Sequence, residues 1–303
     1  MAQNNNPLLC DPATGICEIA TTNQSASKLQ NNTLEKPVKI IYFTDPICSS
    51  CWGIEPQLRK LKLEYGTEIE IEYRMGGLLP DWSYNSGGIS KPSDLAHHWN
   101  EVSLYYDMPI DGDVWLENPL HSSYPPSIAF KAAQIQNKEK AIHFLRKIRE
   151  MVFLEKKNIC NWEHLAQAAS ECGLDVQQMK IDYENKAIED FKQDLALGRQ
   201  MGVRGFPTLF FLDDSQNQQI LYGFKPYAAF EEMIIKVFPK ALKKNYETSW
   251  NSLFNKYPSL TAKEFSELSN LSRKEGEQIL NDLSQKGTLI KCQTKNGALW
   301  KLK

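Results

Sequence analysis

The stretch "FTDPICSSCWGIEP", residues 43–56, decides how the rest of the chain is read. It sets Cys48 and Cys51 three positions apart where an apolar, β-branched run, "VKIIYF" at 38–43, gives way to Ile54, Leu58, Leu61 and Tyr65 at helical spacing. Beyond it, "TEIEIEYRM" alternates Ile69, Ile71 and Tyr73 with Glu68, Glu70 and Glu72, the period of a strand with one wet face. Strand, helix, strand at this length is a βαβ unit with a right-handed crossover. Three uses fit the cysteine spacing: a redox dithiol, half of a metal site, or a vestigial pair on a binding protein. A structural zinc needs two further ligands, and no second CxxC or paired histidine motif lies nearby.

Thiol chemistry gives the redox option a definite geometry. A helix N-terminus lowers a thiol's pKa through unpaired N–H groups and the positive end of the macrodipole. Cys48 is expected there as an exposed nucleophile, with Cys51 one turn further in as the resolving thiol. A second signal stands about 150 residues downstream, in "MGVRGFPTLFFL". A proline leading into a core strand cannot donate to the ladder, so Pro207 belongs at a strand start, where a cis Phe206–Pro207 bond is accommodated. The backbone of Phe206 would then face the dithiol and pair with an extended substrate segment by strand addition.

The remaining text fills in an architecture. Residues 76–125 are loop-rich, with one helix near 94–106. Helical patterns follow at about 126–136, 138–154, 162–172 and 176–200. "TLFFL" (208–212) and "QQILYG" (218–223) read as a hairpin, with a helix over about 227–238 behind it. The order βαβ, helical block, ββα is an α/β, thioredoxin-like fold with a large helical insertion at about 76–200. It occupies residues 37–240, between an Asn-, Gln-, Ser- and Thr-rich arm at 1–36 expected to be mobile and a smaller C-terminal domain at 241–303.

"CSSCWGIEP", with Pro56 five residues after the second cysteine, resembles the thioredoxin active-site helix, and "GVRGFPT" is similar to the segment around the thioredoxin cis-proline. The insertion and the "DPICSSCW" context resemble the DsbA superfamily, nearest to cytoplasmic FrnE-type dithiol oxidoreductases. "SSYPPSIAFKAAQIQNKEKAIHFLRKIREMVFLEKKNI" (122–159) resembles the Spx-binding ClpXP adapter branch of the same fold. The resemblance implies a protein-disulfide oxidoreductase or isomerase acting on protein or small disulfides, with Cys48 and Cys51 catalytic and Phe206, Pro207 and Trp52 toward substrate. It needs no cofactor or metal. The alternative it implies is a protease adapter binding a client and a ClpXP-type partner; a kappa-type glutathione transferase shares the inserted fold, but the CxxC lowers it. Two departures stand out: Tyr42 occupies the position, six before the first cysteine, where thioredoxin and DsbA carry an acid, and Ser49-Ser50 replaces their central dipeptides. Asp45 is expected to cap the helix or shape the turn.

Composition bounds the remaining choices. The net charge of -2 gives no global attraction to nucleic acid or a membrane surface. No apolar run is long enough to span a bilayer, and the N-terminus lacks a basic n-region and an apolar h-region, so a cytoplasmic setting is expected. Residues 240–303, however, carry 12 Lys and Arg against 6 Asp and Glu, whereas the rest carries 23 against 31. This basic tail contains two capping-box patterns, Thr261 with Glu264 and Ser272 with Glu275, then a C′ glycine, Gly287, and a turn at Lys295-Asn296-Gly297. Preceded by a helix near 247–256, the pattern resembles a winged helix. Its would-be recognition helix offsets Arg273, Lys274 and Lys286 with Glu275, Glu277 and Asp282, which ranks protein contact above nucleic acid.

The other cysteines and histidines have plainer readings. Cys10 and Cys17, on the arm, are either an accessory redox pair or two surface thiols, the second being favoured. Packing is the default for Cys160, Cys172 and Cys292. Adjacent His97 and His98 point to different faces of a helix and chelate poorly. The Trp52 ring either contacts substrate or shapes the rim of the site.

Overall fold

The computed structural model describes residues 10–11, 16–18, 36–83, 91–215 and 217–303. Two short strands come first, β1 (Cys10–Asp11) and β2 (Ile16–Glu18), so these parts of the expected mobile arm are ordered into a ladder. The βαβ unit follows as β3 (Val38–Thr44), α1 (Ser49–Gly53), α2 (Glu55–Tyr65) and β4 (Ile69–Met75). The helix after the dithiol is two helices, because Pro56 has no N–H to give the Trp52 carbonyl four residues back; the chain breaks at Ile54 and restarts with Pro56 in the first turn.

The helical insertion comprises α3 (Pro92–Tyr106), α4 (Val114–Glu117), α5 (Tyr124–Gln136), α6 (Lys138–Leu154), α7 (Trp162–Glu171), α8 (Val176–Glu184) and α9 (Lys186–Gln200). The single helix expected over 176–200 is divided at Asn185. Its side chain donates to the Ile181 carbonyl at 2.8 Å and its backbone leaves the helical region, a polar side chain competing with the helix ladder. The chain then returns through β5 (Gly205–Phe206), β6 (Thr208–Leu212), β7 (Gln218–Tyr222) and α10 (Tyr227–Val237).

The central sheet has the order β4-β3-β6-β7. β3 and β4 run parallel from Val38 opposite Ile69 to Thr44 opposite Met75, and β6 lies antiparallel to both β3 and β7. Ile40, Tyr42, Leu209 and Phe211, all fully buried, form the middle of a core shared with α2, α5 and α6. A separate sheet of order β1-β2-β5 joins the first strands to the residues before Pro207.

The C-terminal part contains α11 (Trp250–Lys256), β8 (Ser259–Thr261), α12 (Ala262–Ser269), α13 (Arg273–Gln285), β9 (Leu289–Thr294) and β10 (Gly297–Leu302). Both capping boxes form, and Gly287 adopts φ 74° after α13. β8, absent from the sequence reading, completes a β8-β10-β9 sheet. Its own core is small, built on Leu253, Phe265, Leu268, Leu280 and Trp300.

A buried ionic seam joins the two parts. Arg146 of α6 makes a two-pronged contact with Glu264 of α12 at 2.7 and 3.0 Å and reaches Glu150 at 2.8 Å. Arg59 of α2 lies 3.2 Å from Glu264 and donates to the Ser259 carbonyl at 2.8 Å. The connecting segment is pinned as well: the Lys244 amide donates to the Glu64 carbonyl, while Lys243 bridges Glu64 and Glu231 at 2.8 and 2.7 Å.

Candidate functional site

Cys48 is the N-cap residue of α1, and its sulfur accepts from the Cys51 amide at 3.3 Å. The sulfur also lies 3.8 Å from the Phe206 carbonyl, as donor, so the two sequence signals meet across 158 positions. The Phe206–Pro207 bond is cis. Close approach of this turn depends on Gly76 at the end of β4: a Cβ there would stand 1.8 Å from the Phe206 ring. Among the described residues no group of three or more His, Cys, Asp or Glu is placed to hold a metal.

The exposed, acidified nucleophile expected at Cys48 is not present. Every residue of α1 is buried, and Cys48 and Cys51 are both 0 % exposed. α1 is covered by α3 and by β2. From α3, the Tyr106 hydroxyl lies 2.6 Å from the Ser50 Oγ, and the Tyr106 ring packs on Phe224 at 4.9 Å. Burial pushes the Cys48 thiol well up, and its hydrogen bond with Cys51 adds to this. At Cys51 burial acts in the same upward direction but is outweighed by the hydrogen bond from Cys48 and by the Arg149 guanidinium, which bring that thiol down.

Arg149 is the functional neighbour that sequence reasoning missed. Completely buried, it donates to Thr44 Oγ1 at 2.6 Å, to the Asp45 carbonyl at 3.2 Å and to Glu55 at 2.6 Å. It stands beneath the site where the acid of thioredoxin would be replaced by Tyr42, whose own hydroxyl accepts from Thr44 at 3.0 Å. Arg146, Arg149 and Glu150 recur at i, i+3 and i+4 on the buried face of α6, a spacing the sequence shows without showing that the charges are buried. Asp45 serves the turn. Its carboxylate accepts from the Ile47 and Leu78 amides and from Ser123 Oγ, at 3.0, 2.8 and 2.8 Å, and burial raises its pKa to about 6 against the pull of those bonds.

Trp52, expected at the rim, lies beneath it. The ring is fully buried, donates through Nε1 to the Pro109 carbonyl at 3.0 Å, stacks on Phe153 and carries the Arg146 guanidinium 4.3 Å above it. Insertion helices have closed over the residue that would contact substrate in a shallower site. Cys10 and Cys17 are backbone register partners in the β1–β2 ladder, and Cys17 is paired with Phe206 across β2–β5. His98 is buried while His97 is exposed beside Glu101. Some basic residues of the tail pair with acids of the body: Arg273 with Asp107, Lys295 with Asp113, and Lys301 with Glu150. No helix among the described residues is long and apolar enough to cross a membrane.

Comparison with known proteins agrees with the fold and changes the activity. The family model described as Thioredoxin matches residues 42–232. A putative protein disulfide isomerase from Nitrosomonas europaea superposes with a TM-score of 0.58 at 20% identity, over 67% of this chain and 97% of that one. At that identity the likeness establishes the fold alone. Similarity in sequence runs further: the ClpXP adapter protein SpxH of Halalkalibacterium halodurans is 33% identical over 99% of each chain. The protein of that name from Bacillus subtilis is 29% identical over 88% of this chain and 90% of its own. These relatives are named as adapters and not as enzymes, which overturns the expectation of a protein-disulfide oxidoreductase; the sealed dithiol, with its outer thiol pushed up, is the physical counterpart of that correction. The chain belongs to the thioredoxin family and, along its whole length, to the same family as the SpxH proteins.

Proposed function

We propose that the protein is a cytoplasmic adapter that presents a client, of the Spx type, to a ClpXP-type protease. The observation that carries this reading is the relationship to an adapter over 99% of both chains, which takes in the C-terminal part as well as the thioredoxin-like body. Two features support it. A buried Cys48 is poorly placed to attack a visiting disulfide, since only a thiolate is nucleophilic. The prolyl turn meanwhile retains a short backbone edge, Gly205–Phe206, that pairs antiparallel with an extended segment.

In this reading Phe206 and Pro207 frame a client strand, and Cys48 and Cys51 pack the floor beneath it. The C-terminal elements, helix, strand, two helices and a hairpin, support the winged-helix-like domain at 241–303 as a protein-binding module, since Arg273 of α13 and Lys295 and Lys301 of the hairpin pair with acids of the body and α13 offsets its remaining cations with its own acids. The test is reconstituted proteolysis of an Spx protein by ClpXP with ATP. Addition of the chain is expected to accelerate client loss, and the Cys48→Ser/Cys51→Ser double variant is expected to retain the acceleration. If saturating chain leaves the proteolysis rate unchanged, the adapter assignment fails.

A further inference from the structure

Strand β2 pairs with the Gly205–Phe206 backbone of the thioredoxin-like body, beside its dithiol. Cys17 lies opposite Phe206 and Glu18 opposite Gly205 in an antiparallel ladder, and β1 backs this strand through Cys10 opposite Cys17 and Asp11 opposite Ile16. The same strand packs beside α1, whose residues Ser49 to Gly53 are all buried. Phe206 is also the residue whose carbonyl meets the Cys48 sulfur. From this placement we infer that residues 16–18 are an intramolecular strand that fills the Gly205–Phe206 edge and must be displaced before another polypeptide can pair there.

The physical basis is backbone hydrogen bonding, which is indifferent to side-chain identity. A two-residue ladder is weak, since each bond made in exchange for water contributes little net stability, roughly 1 kcal/mol. A longer extended client segment, able to continue the pairing or to fill flanking pockets, therefore outcompetes it, whereas a short or poorly matched segment does not. The arm acts as a threshold on what the edge accepts. It also lies beside α1, so that β2 and α3 together flank the helix that Cys48 caps. Displacement of β2 uncovers the thiol at the moment a partner arrives.

This inference rests on the reading of Gly205–Phe206 as a strand-accepting edge, and it is tested in the full chain with no client present, so its failure leaves the proteolysis assay untouched. Cys17→Pro removes the backbone donor at the position paired with Phe206, while Cys17→Ser removes the thiol and keeps the strand. Two readouts are taken: amide hydrogen exchange over residues 203–208, and the rate of iodoacetamide labelling at Cys48, located by peptide mass spectrometry. Cys17→Pro is expected to raise both rates by about fivefold or more, the factor given by loss of one net backbone hydrogen bond, and Cys17→Ser to leave them as in the parent. Equal rates in the parent and Cys17→Pro would overturn the inference. So would equal acceleration by Cys17→Ser and Cys17→Pro, which would assign the cover to the sulfur and not to the strand.

Discussion

Replacing Glu264 by Gln should weaken the whole molecule far more than a single helix cap would. The carboxylate is 0 % exposed and holds four donors: two nitrogens of Arg146, one of Arg59 and the Thr261 amide. It belongs to a row in which three guanidiniums, of Arg59, Arg146 and Arg149, face three carboxylates, of Glu55, Glu150 and Glu264. Gln keeps the shape and one acceptor but removes one negative charge, so three buried cations then face two anions. Breaking a buried pair from one side costs about 3–5 kcal/mol, because the remaining charge keeps its desolvation penalty without its partner. We expect about 3 kcal/mol for Gln, with roughly 1 kcal/mol more for Ala, which also abolishes the capping box. Urea unfolding followed by tryptophan fluorescence gives the total, and hydrogen exchange in α12 against α2 tells whether the C-terminal part loosens first. The double variant Arg146→Met/Glu264→Leu, which removes the charges together, should recover most of the loss. A Glu264→Gln variant within about 1 kcal/mol of the parent, the range of solvated surface pairs, would refute the claim that this seam is dry.

Asp45 predicts a pH dependence of opposite sign to that of an ordinary paired carboxylate. Its folded pKa of about 6 lies above its unfolded value near 3.8, so between these values the native state binds the extra proton. Stability should fall as pH rises from about 4 to 6, by at most roughly 3 kcal/mol, and then level off; denaturation at pH 5 and pH 7 should show this slope in the parent and not in Asp45→Asn. Gly76→Ala should destabilise by about 1–3 kcal/mol, because a Cβ 1.8 Å from the Phe206 ring forces that ring out of place; an unchanged melting temperature would contradict the packing described.

The parts legible in the sequence were those governed by neighbours along the chain. The alternation of Ile69, Ile71 and Tyr73, the caps at Thr261 and Ser272, and the strand start at Pro207 each depend on a few adjacent residues, and each appears where expected. Even the meeting of Cys48 with Phe206 was readable, since both motifs carried their own position in the fold. What was not legible depends on distant partners. Cys48 and Trp52 looked like surface residues beside their helix, but α3 and α6, contributed by the insertion, close over them. Arg146 and Glu264 are 118 positions apart, and nothing local in "FLRKIRE" distinguishes a buried arginine from a solvated one. Cys17 was placed on a mobile arm because polar composition says nothing about two residues borrowed by an open sheet edge.

The pinned connector at Lys243 and Lys244 sets the mechanical character of the chain. A loose tether would let the two ends sample many separations, at the entropic cost of finding one another each time a third molecule touched both. Here the offset between the prolyl turn and the tail hairpin is set once, during folding. Anything long enough to contact both meets a fixed gauge, and a molecule of the wrong span gains nothing from the second contact.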